Sequence, residues 1–141
     1  MARKAIPKKV RELVYQKYGG HCAYCGCELE YKDMQVDHVV SVYRNDWRRL
    51  FSESNLSDEE LNSSENYMPA CRQCNFYKGT FELETFRDNL SHMMVDNLKK
   101  NFNYRLAVKY GLIKENFKPV KFYFETFDDQ LPGQMNIEDI I

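Results

Sequence analysis

The sequence predicts an α+β fold: a small, short-stranded core closed on four cysteines, with helices flanking it at both ends. Three observations predict it. Cys22-Ala-Tyr-Cys25 and Cys71-Arg-Gln-Cys74 have the spacing of two halves of a tetrahedral metal site. Short β-rich runs fall at 34–40 and 67–70, one between those halves and one beside the second. Apolar residues recur at helical spacing over 7–18 and 82–100, on either side of the cysteines.

Each element has its own signal. Pro7 suits the first turn of the first helix, Val10, Leu13, Val14 and Tyr18 form its apolar stripe, and Gly19-Gly20 ends it. The first cysteine pair follows in a tight turn with Gly26. Residues 34–40 read as a strand. Residues 43–66 are polar and irregular and hold the one Trp. Within them, Ser57-Asp-Glu-Glu60 has the form of a capping box and predicts a short helix near 58–62. Residues 67–70 read as a second strand, confined to an edge by Pro69. A short helix is expected over 72–78, ending at Gly79. The longer helix over 82–100 puts Leu83, Phe86, Leu90, Met94 and Leu98 on one face. Another near 103–110 ends at Gly111, and 120–125 alternates like a last strand. The expected organisation is an N-terminal helix (1–20), a core (21–80) and a helical extension with a short strand and acidic tail (81–141), together one compact domain.

Composition narrows the class of function. The 141 residues suffice for one domain with a modest core. No apolar run is long enough to cross a bilayer, and the basic start lacks the apolar stretch of a signal peptide. The expectation is a cytoplasmic protein without a membrane partner, where thiols stay reduced and five cysteines favour metal over disulfides. The net charge of −1 hides an uneven distribution. All 20 Lys and Arg lie in residues 1–121, against 16 of the 21 acids, so that stretch is net positive. Arg3, Lys4, Lys8, Lys9 and Arg11 carry the first eleven residues, and Arg44, Arg48 and Arg49 form a second cluster. Such clustering matters more to a polyanion than the total charge.

Each Cys-x-x-Cys places two thiolates on one turn, and two such turns close a four-sulfur site with no open position. The ligands predicted for a structural Zn2+ are therefore Cys22, Cys25, Cys71 and Cys74, pinning the base of the 45-residue stretch between Cys25 and Cys71. Disulfides would stabilise by about 2–4 kcal/mol each, structural zinc by roughly 10–16 kcal/mol. A thioredoxin-like redox pair would follow a strand, whereas Cys22 follows a helix and a Gly-Gly turn. Cys27 is left over as an ordinary small residue, and His21 is superfluous to four sulfurs.

Between and beside the cysteines lie the groups that phosphodiester hydrolysis requires: a base, a cation site and phosphate donors. Asp37 is a hard oxygen ligand suited to Mg2+ or Mn2+, and His38 can take a proton near neutral pH. Adjacent strand residues point to opposite faces, so a strand end or twist must reconcile their roles. Asn75 and Lys78 share one face of a short helix. The Asn75 amide oxygen can serve the same ion, and Lys78 can meet a phosphate as a point charge. Asn66, just before the second strand, can bond backbone across the loop and fix His38. Each residue alone is more simply a surface or turn residue; their joint order carries the reading.

The order Cys-x-x-Cys, Val-Asp-His-Val-Val, then Glu-Asn-Tyr-Met-Pro-Ala-Cys-x-x-Cys-Asn-x-x-Lys-Gly resembles the zinc-stapled HNH endonucleases, over roughly residues 19–80. The resemblance implies a ββα-metal core with strands at 36–40 and 67–70 and the helix at 72–78. It implies His38 as general base, Asp37 as metal ligand, Asn66 as the residue that orients the histidine, and Asn75 in place of a final histidine, the HNN variant. An amide oxygen there favours Mg2+. Lys78 stands at a commonly basic position. The 27 residues between His38 and Asn66 are long for compact members, and carry Arg44, Trp47, Arg48 and Arg49. Residues 82–141 are similar, more softly, to the helical tail of some small bacterial and phage HNH proteins. The implied activity is metal-dependent DNA cleavage leaving 5′-phosphate and 3′-hydroxyl ends. Lys78 and the arginines Arg44, Arg48 and Arg49 are the expected DNA contacts, the arginine stretch either reaching into a groove or only decorating the loop. Two alternatives come from other classes: a non-catalytic zinc-knuckle module that binds nucleic acid, and a protein whose zinc only folds it.

Overall fold

A computed structural model describes residues 5–51 and 53–127. The acidic tail from Asp128 and the basic residues Arg3 and Lys4 lie outside the described residues. Helices and one two-stranded sheet make up a small mixed fold, which divides into two compact units. Unit 1 comprises Met1–Leu83 and Phe122–Ile141; unit 2 is Glu84–Lys121.

In unit 1, helix α1 (Lys8–Gln16) buries Val14, while Leu13 of the expected stripe stays exposed. Gly19 and Gly20 follow with φ of 65° and 81°, a left-handed turn that suits glycine and reverses the chain into the first cysteine loop. That loop is a miniature hairpin. Leu29 N–H donates to Gly20 O at 2.8 Å, Cys22 N–H to Cys27 O at 2.8 Å, and Gly26 N–H to Cys22 O at 3.0 Å. Arg11 reaches back from α1 to donate to the carbonyls of Tyr31 (2.9 Å) and Met34 (2.7 Å). It thereby fixes the approach to strand β1 (Gln35–His38).

Strand β1 pairs antiparallel with β2 (Tyr67–Ala70), with Gln35 opposite Ala70, Asp37 opposite Met68 and His38 opposite Tyr67. Pro69 has no N–H for a ladder, but its carbonyl accepts from Ala23 N–H at 2.8 Å. The second strand is thereby tied to the first cysteine loop. Between the strands lie helices α2 (Val42–Leu50) and α3 (Asp58–Leu61), the latter with the expected capping box on Ser57 and Glu60. Helix α2 corrects the reading of 43–66 as irregular. Ser41 caps it by accepting from Arg44 N–H, and its amphipathic face is polar enough to escape an apolar-periodicity search. Asn45 is fully buried on it, with its amide closed on the Leu56 backbone at 2.8 and 2.7 Å. Helix α4 (Arg72–Lys78) follows β2 directly and stops at Gly79.

Residues 120–125 are not a strand. Helix α5 (Leu83–Asp88), a π-helical turn (Asn89–Met93), α6 (Met94–Lys100) and α7 (Phe102–Lys109) come first, carrying most of unit 2. The chain then returns to unit 1 as helix α8 (Tyr123–Phe127). The first N–H groups of a helix have no intrahelical acceptor. Those of Tyr123 and Phe124 donate to Tyr24 O (3.0 Å) and Ala23 O (2.8 Å) of the cysteine loop. Phe122 is buried and packs edge-on against Tyr24, and Phe127 against Tyr18. The aromatic spacing that resembles a strand thus serves a helical clasp. No helix among the described residues is long and apolar enough to cross a membrane.

Candidate functional site

Cys22, Cys25, Cys71 and Cys74 come together from the hairpin and the start of α4, their sulfurs all within 4.8 Å of one another. The Cys25 and Cys71 sulfurs are 3.9 Å apart. A disulfide would need about 2.0 Å. A tetrahedron of sulfurs around zinc at about 2.3 Å has edges of about 3.8 Å. The four cysteines are therefore positioned for a metal ion and are compatible with Zn2+. Cys74 N–H points at Cys71 Sγ (3.4 Å), as a turn that presents two sulfurs to one ion requires. Within the cluster the hydrogen bond between Cys74 and Cys22 holds the Cys22 thiol down to about 4 and pushes Cys74 up. Cys27 is exposed, and His21 stacks on Tyr123 at 5.3 Å.

Helix α4 lies on one face of β1. Residues Gln35 and Asp37 point to it, as alternate strand residues must. Asn75 donates its amide N–H to Gln35 Oε1 at 2.6 Å, which leaves its amide oxygen for other partners. One turn later, Lys78 Nζ meets Asp37 Oδ2 at 3.1 Å and Oδ1 at 3.4 Å, and donates to His38 O at 3.1 Å. Asp37 and Asn75, both hard oxygen donors, are thus brought to one side of the sheet.

Lys78 is completely buried against Asp37. Burial pushes the Asp37 carboxyl up, and the Lys78 charge only partly offsets this. A second group reaches the same carboxylate. Tyr24, between the first two cysteines, donates its hydroxyl to Asp37 Oδ2 at 2.5 Å. Burial, followed by the Asp37 charge, pushes the Tyr24 hydroxyl well up, so it stays a donor.

His38 ends β1 on the opposite face. Its ring is buried, edge-on to Tyr67 at 5.0 Å. Asn66 sits beyond it, also buried. Its Oδ1 accepts from Val40 N–H at 2.9 Å, and its Nδ2 donates to Val40 O (3.0 Å) and Leu61 O (2.9 Å). Its backbone carbonyl accepts from Val39 N–H at 2.9 Å. Asn66 therefore braces the two residues after His38, Val40 through its side-chain amide and Val39 through its backbone carbonyl.

The arginine cluster of α2 is engaged within the chain. Arg44 donates to Thr80 O (3.2 Å) and lies over the rings of Tyr43 and Phe81. Arg48 pairs with Glu82, and Arg49 with Asp58 (2.8 Å) and Leu56 O (2.8 Å). These contacts fasten α2 to the residues after α4 and to α3.

Sequence reasoning missed Tyr24 and Gln35, and read Arg11 as part of a basic cluster when it bonds the chain ahead of β1. A phenol inside a closed cysteine turn is buried, and its hydroxyl then needs a partner. That was the available signal for Tyr24.

No protein-family model matches the chain, and no curated protein matches it. Among solved structures it is similar to the crystal structure of the Type II-C Cas9 enzyme from Actinomyces naeslundii, at 20% identity and a TM-score of 0.44. The match covers 62% of this chain and 9% of that one, so this chain spans a small fraction of that enzyme's length.

Proposed function

We propose that the chain is a metal-dependent DNA endonuclease of the zinc-stapled HNH type, acting in the cytoplasm. The observation that carries this reading is the strand-strand-helix unit β1, β2 and α4, held at its base by four sulfurs, which gathers Asp37, Asn75 and Lys78 on one face. In this reading Asp37 and Asn75 hold a divalent ion, Mg2+ or Mn2+. When bound, that ion neutralises charge on the phosphate and the departing 3′ oxygen. His38 takes the proton of the attacking water, giving 5′-phosphate and 3′-hydroxyl ends. His38 is 2% exposed, so an attacking water reaches its ring only through a local opening of the site. Asn66 holds the chain after His38 in place. An ion on Asp37 would take the place of the Lys78 ammonium, and Lys78 would then supply its charge to the substrate. Arg44, Arg48 and Arg49 exchange their internal partners for phosphates. The four-cysteine site holds Zn2+ and is structural.

The test is plasmid cleavage across a panel of divalent ions, wild type against His38→Ala. Wild type should cut with Mg2+ or Mn2+ and stop with EDTA; the variant should keep its zinc and cut at background. Equal rates would overturn the mechanism.

One observation favours a second reading. The Asp37 carboxylate is already satisfied by Lys78 and Tyr24, and the imidazole is buried. A non-catalytic zinc-knuckle module that binds nucleic acid would need neither group exposed. DNA binding without nicking in every ion tested would select it.

A further inference from the structure

We propose that Tyr24 is a positioning residue that couples the four-cysteine site to the cation-binding carboxylate of Asp37. The inference rests on the reading above that Asp37 holds a divalent ion.

The argument starts from what fixes each partner. Tyr24 is 3% exposed and stands between Cys22 and Cys25, so a metal on those sulfurs clamps its backbone on both sides. Its carbonyl accepts from Tyr123 N–H at 3.0 Å. Its ring is packed edge-on by Phe122 at 5.4 Å and Phe124 at 6.3 Å. The neighbouring Ala23 N–H is tied to β2 through Pro69 O at 2.8 Å. The phenol is therefore held by the hairpin, by α8 and by the second strand. Asp37 has a short side chain with two rotatable bonds. When the two meet at 2.5 Å, the rigid partner sets the orientation of the mobile one.

The two carboxylate oxygens are not equivalent. Oδ2 accepts from both Tyr24 (2.5 Å) and Lys78 (3.1 Å), whereas among the described residues Oδ1 has the longer contact to Lys78 at 3.4 Å. Lys78 is a cation and must yield its place to another cation. The hydroxyl is neutral, donates along one lone pair, and has no reason to leave. Tyr24 thus anchors Oδ2 and leaves Oδ1 as the oxygen offered to the ion. Outer groups of this kind typically change metal affinity 10–100-fold, roughly, when removed.

The experiment measures Mn2+ binding to the zinc-loaded full chain by calorimetry and by the spectrum of bound Mn2+ in electron paramagnetic resonance. Wild type, Tyr24→Phe, Tyr24→Leu and Asp37→Asn are compared. The expected result is that Tyr24→Phe keeps its zinc, binds Mn2+ roughly 10–100-fold more weakly and shifts the bound spectrum. Unchanged affinity and spectrum in Tyr24→Phe overturn the inference. So does weakening in Tyr24→Leu alone, because packing rather than the hydroxyl would then matter. If wild type and Asp37→Asn bind Mn2+ alike, or neither binds, Asp37 holds no ion and both the inference and the nuclease reading fall. Should Tyr24→Phe release zinc, 3-fluorotyrosine installed at position 24 keeps ring and hydroxyl while strengthening the donor. An altered Mn2+ affinity then supports the coupling, and an unaltered one overturns it.

Discussion

Replacing Lys78 by Met removes one charge from a buried pair and little volume. The ammonium is fully buried, 3.1 Å from Asp37 Oδ2, and it also satisfies His38 O. Breaking a buried pair from one side leaves the other charge uncompensated and typically costs about 3–5 kcal/mol. For a unit of this size each kcal/mol moves the melting temperature by roughly 3–5 °C, so the expected drop is roughly 10–20 °C. The pH dependence gives a second handle. Burial already raises the Asp37 carboxyl against the pull of Lys78. A carboxyl raised in the folded state contributes stability below its unfolded pKa, and loses it as pH rises through the folded value. Without Lys78 that value climbs further. The deficit of Lys78→Met should therefore shrink as pH falls, because Asp37 takes a proton and ceases to be an unpaired charge. Adding Asp37→Asn should recover most of the loss at pH 8, since removing both partners of such a pair is often nearly neutral. Denaturant unfolding of the zinc-loaded proteins measures all three quantities. A Lys78→Met variant within about 1 kcal/mol of wild type at pH 8, or a deficit that grows on acidification, would refute the argument.

Other variants probe separate joints of the structure. Asn66→Ala leaves Val40 N–H, Val40 O and Leu61 O without their side-chain partner. Each such loss costs about 1–3 kcal/mol, so unfolding should show a deficit of at least about 2 kcal/mol. In Gly26→Ala, the new Cβ meets Tyr123 Cδ1 at 2.7 Å, at a φ of +81°. Roughly 1–3 kcal/mol of strain should displace α8 and open the 122–127 segment to protease, with the zinc retained. Stripping zinc with a strong chelator should unfold unit 1 outright, because its binding energy of roughly 10–16 kcal/mol rivals the whole stability of a domain. Circular dichroism that is unchanged after zinc release would contradict this.

The parts of the fold legible in the sequence are those with short-range signals. The cysteine spacings, the Ser57–Glu60 capping box, the Gly-Gly stop and the Pro-bearing strand each fix a few neighbouring residues, and the structure contains them. What escaped depends on distant partners. Helix α2 forms from a polar sequence because its Arg and Asn side chains find acceptors at Leu56, Asp58, Thr80 and Glu82. Residues 122–127 coil rather than extend because their free N–H groups meet carbonyls of a loop far earlier in the chain. Lys78 looks like a surface residue until Asp37 is placed beneath it. Of the candidate site, residue types and order were readable, and so was the strand alternation that separates Asp37 from His38. The donors that restrain Asp37 were not, since Tyr24 and Lys78 come from opposite ends of the core segment.

The seating of α8 on the cysteine hairpin has a consequence for biosynthesis. The hairpin emerges from the ribosome early, but the aromatic lid that covers Tyr24 is translated only after all of unit 2. Until then the nascent chain holds all four cysteines beside an unsealed aromatic surface. Metal capture on the growing polypeptide is therefore expected to precede the seating of α8, which closes over a hairpin already held by its sulfurs.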